Sequence, residues 1–256
     1  MAGEGKLALG ARRQSRGSDP QSNSVGRPEV KQSPSASVPT PGYLPESRAR
    51  RLLNVVVAAA AILFTWPLWI LIAAVVKLTS RGPIFHTQTR VGLDRRSQSG
   101  PVDARRGQDL GGKPFTIFKF RTMHNDAEGR TGATWATKAD PRVTLVGRFL
   151  RQYRLDELPQ LVNVLKGDMN VVGPRPERPT IFVQLRTEIG AYQDRQRVRP
   201  GITGLAQISQ EYDSNLDDVR RKVRFDLEYI SRQSALQDFL IMVTTVPVML
   251  FRKGSR

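Results

Sequence analysis

From Val55 to Val76 the chain holds no charged residue and consists almost wholly of Val, Ala, Ile, Leu, Phe and Trp. A run of this length matches the roughly 20 apolar residues needed to cross the hydrocarbon layer, so it reads as a membrane segment. Its middle is Thr65-Trp66-Pro67. Proline inside a helix removes one hydrogen bond and clashes with the preceding turn, so a kink is expected at Pro67. Two geometries compete: a bent crossing, or a helix that enters, turns near Pro67 and leaves on the same face. Arg48, Arg50 and Arg51 precede the segment, and Lys77 and Arg81 follow it. Cations at both ends favour the re-entrant geometry, because positive flanks mark the cytoplasmic side.

The remaining sequence arranges itself around this segment, taken as residues 47–80. Residues 1–46 are rich in Ser, Pro, Gly and Arg with few large apolar side chains, and such a composition cannot bury enough surface to offset ordering entropy; a disordered tail is expected. Its apolar patch, Leu7 to Leu9, is too short for a secretory leader. Residues 81–256 are long enough for one sizeable domain. The absence of cysteine, with His86 and His124 the only histidines, excludes disulfides, thiolate catalysis and cysteine-ligated zinc. A formal charge of +17 calls for an anionic partner: nucleic acid, anionic lipid or a phosphorylated substrate.

Within 81–256, Gly82–Val91 reads as a loop and short strand, and 94–112 as a flexible polar insert. Lys113 to Met123 is rich in β-favouring residues; if extended, it puts Lys119 and Arg121 on one face and Phe118 and Phe120 on the other, a candidate phosphate platform. Helical spacing follows in 143–153, in 180–196 and in 217–231. Residues 236–251 are apolar, contain Pro247 and end near Arg252 and Lys253. They are too short to span and fit an interfacial helix, with a core helix as the competing reading.

The densest chemistry lies between Arg154 and Pro179. Asp156 and Glu157 precede Pro159 and an apolar run, Leu158, Leu161, Val162 and Leu165, and so should mark a helix N-terminus. Gly167 and Asp168 make a turn, after which prolines 174, 176 and 179 hold Arg175 and Arg178 outward. A third arginine, Arg199, stands in a Gly/Pro-framed turn. Taken singly, each half has a bland reading, a helix cap or a proline-rich linker. Together with a membrane segment they point to phosphoryl chemistry at the bilayer surface. There arginine contacts phosphate oxygens, a divalent cation bridges phosphates and an aspartate can attack phosphorus. No Walker motif is present. Nor is there a helix-turn-helix, RRM or zinc pattern, and no aromatics interleave a basic stripe, so no nucleic-acid partner is expected.

Lys119-Phe120-Arg121-Thr122-Met123, Leu155-Asp156-Glu157-Leu158-Pro159-Gln160, Gly173-Pro174-Arg175-Pro176-Glu177 and Arg199-Pro200-Gly201-Ile202-Thr203-Gly204 resemble, in that order, the bacterial sugar transferase family, the monotopic polyprenyl-phosphate phosphoglycosyl transferases. The resemblance runs from about Arg50 to Phe251. It implies an α/β, α-rich fold with a small sheet. The molecule would be a monotopic membrane protein, with a re-entrant helix hairpin kinked at Pro67, a cytoplasmic catalytic domain and interfacial amphipathic helices. The implied place is the bacterial inner membrane, on its cytoplasmic face. The implied reaction passes sugar-1-phosphate from a UDP-sugar to undecaprenyl phosphate and releases UMP. Asp156 would be the nucleophile, assisted by Glu157, with Mg²⁺ beside Asp156 and Arg175, Lys119, Arg121 and Arg199 on phosphates. Membrane lipids are the further partner, and self-association is left open. The insert at 94–112, the long tail, and Trp66 before the kink proline depart from the simplest members. Extra membrane helices of the larger members have no counterpart in this sequence. Glu177-Arg178-Pro179 is similar to members that start exopolysaccharide or capsule synthesis.

Overall fold

The structure, a computed structural model, describes residues 42–95, 109–124, 140–210 and 215–251. The tail up to residue 41 and the centre of the 94–112 insert, residues 96–108, lie outside the described residues. Helix α1, Arg48–Thr79, contains the whole apolar segment. It opens on Ser47, whose hydroxyl accepts from Arg50 N at 3.3 Å, an ordinary N-cap. The helix continues through Pro67, so the proline does not end it. Just before it, Thr65 Oγ1 donates to Ala61 O at 2.6 Å and accepts from Trp69 Nε1 at 3.1 Å. Hydroxyl bonding to a carbonyl one turn back is a known accompaniment of helix bending.

One stripe of α1 faces the protein: Arg50, Asn54, Ala58, Ile72 and Val76 are buried. The opposite side is apolar and open, with Leu63 67% and Phe64 81% exposed. Both ends are fastened to the same body. At the start, Arg50 Nε donates to Asp238 Oδ2 at 2.9 Å and Nη2 to the Tyr229 hydroxyl at 2.6 Å. Arg51 Nη1 donates to Val164 O at 2.9 Å. At the far end, Val76 packs with Phe120 and Leu150, and Arg121 Nη2 donates to Ser80 O at 2.7 Å. Arg50 and Arg51, which the sequence presents as a topological charge flank, are thus engaged in protein contacts.

Two small sheets follow. Strands β1, Phe85–Val91, and β2, Pro114–Phe120, pair antiparallel, with Phe85 opposite Phe120 and Val91 opposite Pro114. The Phe120 ring stacks on Phe85 at 5.3 Å and meets Trp69 of α1 edge-on at 5.9 Å, which seats the hairpin against the membrane segment. Helix α2, Leu145–Gln152, leads into a 3-10 turn at Leu155–Glu157, and then α3, Gln160–Lys166. Strand β3, Asn170–Val172, is joined to β4, Gly201–Thr203, through α4, Pro179–Glu188, and a 3-10 stretch at Gly190–Arg197. The single helix expected over 180–196 is therefore two elements, parted by extended Ile189 next to Gly190. Strands β3 and β4 are parallel, and the crossing is so close that a Cβ on Gly201 would lie 2.1 Å from Gly173 N.

Helices α5, Leu205–Ser209, α6, Leu216–Arg232, and α7, Ala235–Phe251, complete the described chain. Val219 and Val223 of α6 pack on Phe182, Leu185 and Tyr192. Helix α7 buries Asp238 and Ile241 but leaves Leu236, Phe239, Leu240, Val243 and Val246 exposed. The whole is helix-rich with small sheets and one long apolar helix, compatible with an α/β monotopic protein.

Candidate active site

Asp156 and Glu157 sit in the 3-10 turn ahead of α3 rather than on its first turn. Pro159 explains this: without an N–H it cannot continue the helical ladder backwards, so the carboxylates occupy a separate turn closed by Glu157 N to Arg154 O at 3.1 Å. Both residues are buried, 7% and 6% exposed. Helix α3 is held in register with β2 by Asn163, whose Nδ2 donates to Thr116 O at 2.7 Å and whose Oδ1 accepts from Phe118 N at 3.2 Å. That register brings Lys119, at the end of β2, over the carboxylate pair.

The two acids have opposite surroundings. Glu157 Oε1 accepts from Lys119 Nζ at 2.7 Å and from Arg175 Nη2 at 2.8 Å, with Arg154 Nη1 3.9 Å away. Burial alone would raise its pKa, but Arg175, Lys119 and Arg154 outweigh burial and hold the carboxyl well below its usual range. Asp156 differs: among the described residues its carboxylate accepts no hydrogen bond and makes no ion pair. Burial, and next the negative charge of Glu157, push it up to about 6 against the more distant Lys119, Arg151 and Arg154. Neighbouring carboxyls whose environments drive them apart are a mark of divided chemical roles.

The four basic residues expected on phosphate separate into two groups. Lys119 and Arg175 converge on the acid pair. Arg121 does not: β2 ends at Phe120, alternation is lost, and the Arg121 side chain turns to the end of α1, where Nη2 bonds Ser80 O, Ser80 Oγ and Val76 O. Arg199 Nε donates to Gly167 O at 2.9 Å and its Nη1 pairs with Glu46. Pro67 lies within α1, away from this chemistry in sequence and role.

Several contributors were not singled out from the sequence. Arg151 and Arg154 act on the charge of Asp156. The Pro174–Pro179 loop is held from behind by buried Arg195 and half-buried Arg90: Arg195 Nη2 donates to Arg175 O at 3.0 Å while its Nε bonds Asp226 Oδ2 at 2.7 Å, and Arg90 Nη1 donates to Pro176 O at 3.0 Å. Glu177 anchors the same loop; although burial opposes it, Lys222, Arg195 and Arg90 hold its carboxyl down at about 2. Proline rigidity alone, which the sequence shows, is thus joined by fixed carbonyls, leaving the Arg175 guanidinium to face Glu157. The signal for Arg151 and Arg154 was their density immediately before Leu155-Asp156-Glu157.

No group of three or more His, Asp or Glu able to hold a metal occurs among the described residues. Glu157 already carries two close cations, leaving Asp156 as the member of the pair open to another. Asp156 could serve as a single carboxylate ligand of a divalent cation whose other ligands come from outside the protein, and the described residues do not form an all-protein cage.

The bacterial sugar transferase family model matches residues 45–252. The chain is 39% identical over 219 residues to the UDP-N-acetylgalactosamine-undecaprenyl-phosphate N-acetylgalactosaminephosphotransferase of Aeromonas hydrophila, covering 86% of this chain and 47% of that protein. It is 41% identical over 208 residues to the UDP-glucose:undecaprenyl-phosphate glucose-1-phosphate transferase of Escherichia coli K12, covering 79% and 41%. It is 34% identical over 242 residues to the exopolysaccharide production protein ExoY of Rhizobium meliloti, covering 86% and 97%. The chain therefore spans less than half the length of the first two relatives and nearly the full length of the third.

Proposed function

The chain belongs to the bacterial sugar transferase family, and from that premise we propose that it is an initiating phosphoglycosyl transferase. It moves sugar-1-phosphate from a UDP-sugar to undecaprenyl phosphate at the start of exopolysaccharide or related glycan synthesis. The observation that carries this reading is the unengaged, buried Asp156 carboxylate beside a Glu157 clamped by Lys119 and Arg175.

A covalent route follows from that arrangement. An Asp156 oxygen attacks the phosphorus that bears the sugar; the bond from that phosphorus to the bridging oxygen breaks, and UMP leaves with the electron pair. The oxygen of undecaprenyl phosphate then attacks the same phosphorus, and Asp156 departs as a carboxylate. Charge balances in both halves without a proton, because each nucleophile is already an anion. The site accordingly needs no general base. What it needs is cationic compensation for the phosphoryl oxygens in the transition state, which Lys119 and Arg175 supply by shifting part of their contact from Glu157 to the substrate. Mg²⁺ bound with the donor would neutralise further phosphate charge. Water is kept from the acyl phosphate by the burial of the pair.

The re-entrant placement of α1 is part of the same proposal. Its support is that Arg50 and Ser80, at opposite ends of α1, both join the body that holds Asp156, as expected if both ends lie on one side of the bilayer; the proposal takes that side to be the cytoplasmic one. Because the sequence has no cysteine, Ser24→Cys and Ser231→Cys each give a unique thiol. In intact cells both are expected to resist a membrane-impermeant maleimide from outside, and labelling at position 24 refutes the hairpin.

The central test is incubation of membranes with labelled UDP-glucose or UDP-N-acetylgalactosamine, with and without undecaprenyl phosphate. Wild type is expected to release UMP, to carry label on protein without acceptor and to pass it to lipid with acceptor. Full turnover by Asp156→Asn would sink the covalent role.

A further inference from the structure

Gln160 is the first residue of α3. It is 2% exposed, and its Nε2, closed off from solvent, finds no hydrogen-bond partner among the described residues. A buried donor without an acceptor loses its bonds to water and gains none in the protein, and in native structures such a group calls for an explanation. An apolar side chain of similar volume would fill the place without that penalty.

The position of Gln160 indicates what this donor serves. The backbone is helical from Leu155 through Lys166, with Leu158 and Pro159 both in the αR region. Leu158 N to Leu155 O at 3.3 Å and Leu161 N to Leu158 O at 3.0 Å are tight 3-10-type bonds. Side chains three apart lie over one another in such a turn, about 5–6 Å between Cβ atoms. Glu157, Gln160 and Asn163 therefore share one face, the face on β2: Asn163 bonds Thr116 O and Phe118 N, and Glu157 bonds Lys119 Nζ. Gln160 stands between them, with Glu157 within reach of its carboxamide. Among the described residues, every hydrogen bond that the Glu157 carboxylate accepts comes from Lys119 or Arg175, while Arg154 Nη1, at 3.9 Å, is beyond that range. Once Lys119 and Arg175 turn to a phosphate, a buried carboxylate is left without a donor, a costly state.

We propose that Gln160 is a positioning residue for Glu157: as substrate phosphate draws Lys119 and Arg175 away, the Gln160 carboxamide donates to the Glu157 carboxylate and holds it charged and in place. Glu157 then keeps its repulsion on Asp156 and takes the two cations back when product leaves. That the phosphate is the diphosphate of a UDP-sugar rests on the phosphoglycosyl-transfer reading above. The unpartnered donor of the substrate-free site is a hydrogen bond kept for the liganded one.

The test compares wild type, Gln160→Met, Glu157→Gln and the double variant, each as the full chain in nanodiscs, by melting temperature and by affinity for UDP, which carries the diphosphate of the donor. Gln160→Met keeps the volume and removes an unpartnered amide, so its melting temperature is expected to equal or exceed that of wild type. Loss of a hydrogen bond to a carboxylate should weaken UDP binding about 10- to 100-fold. In Glu157→Gln no carboxylate has to be held, and the same change should weaken binding less than threefold, a pattern that neither a packing role nor a direct contact with phosphate would produce. A UDP Kd within threefold of wild type in Gln160→Met overturns the proposal. So does a loss of affinity that accompanies a lowered melting temperature, or one of threefold or more in the Glu157→Gln background. Should Gln160→Met fail to fold, Gln160→Leu is held to the same outcomes. Absence of UMP release from wild type with every UDP-sugar refutes the underlying function instead. Gln160 is then judged by binding of inorganic pyrophosphate, where equal affinities of wild type and Gln160→Met, or no binding by wild type, overturn it.

Discussion

Asp156→Asn should make the protein more stable while abolishing turnover. In the folded protein the Asp156 carboxyl is pushed from 3.8 to about 6, first by burial and then by Glu157. A shift of about 2 units, at roughly 1.4 kcal/mol per unit, corresponds to about 3 kcal/mol of destabilisation when the group is ionised. The sign is fixed by the direction of the shift. Folding binds the Asp156 proton more tightly, so the destabilisation is full above pH 6, declines as pH falls, and vanishes below 3.8. Asparagine removes the charge but buries a neutral amide, at a cost of about 1 kcal/mol, leaving a net gain of about 2 kcal/mol at pH 8. For a domain of this size that is a rise of roughly 4–8 °C in melting temperature. Denaturation of both proteins in nanodiscs at pH 8 and pH 4.5 gives the measurement. The expected pattern is an advantage for the variant at pH 8 that shrinks or reverses at pH 4.5. A variant no more stable than wild type at pH 8, or an advantage independent of pH, would falsify the claim that an uncompensated carboxylate is held in this site.

Turnover of wild type should fall on the acid side with a midpoint near pH 6, because the protonated acid cannot attack phosphorus. In Glu157→Gln the like-charge repulsion is gone and Lys119 and Arg175 are released toward Asp156, so single-turnover UMP release, although slower, should show its acid limb at lower pH; a limb moved upward contradicts the pairing. Arg121→Met should leave the UDP-sugar KM within about threefold, since Arg121 bonds Ser80 and Val76 at the end of α1, and a tenfold rise would return it to the phosphates. Gly201→Ala should lower stability by about 3 kcal/mol or more, because its Cβ would lie 2.1 Å from Gly173 N, and denaturant titration reads this directly.

The sequence was most legible where one residue type suffices for the inference. Val55–Val76 shows itself by the absence of charge, and α6 by periodicity, its boundaries differing from 217–231 by one residue at each end. The acid pair and the Pro174–Pro179 loop were visible as types and spacings, but their division of labour was not. Which carboxylate is clamped depends on the α3 to β2 register set by Asn163, a contact across 47 residues that no local pattern carries. Arg121 shows the converse. Its alternation with Lys119 holds only while the strand lasts, and β2 stops at Phe120. The cations behind the loop, Arg90 and Arg195, look in sequence like any other member of a +17 chain, since burial is a property of the fold.

On the proposed mechanism, the same distinction explains how so basic a protein would sustain an anionic nucleophile without quenching it. Had Lys119 or Arg175 paired with Asp156, the carboxylate would be stabilised in the ground state and weakened toward phosphorus. Glu157 prevents this by holding both side chains at 2.7–2.8 Å. It keeps two positive charges within reach of an incoming phosphate while its own charge raises the basicity of Asp156. In that mechanism the adjacent acid would act as a counter-ion that stores cations for the transition state. On the proposed mechanism, a phosphate entering the site would compete with Glu157 for Lys119 and Arg175, and the exchange would stabilise the phosphoryl group at the moment Asp156 attacks it.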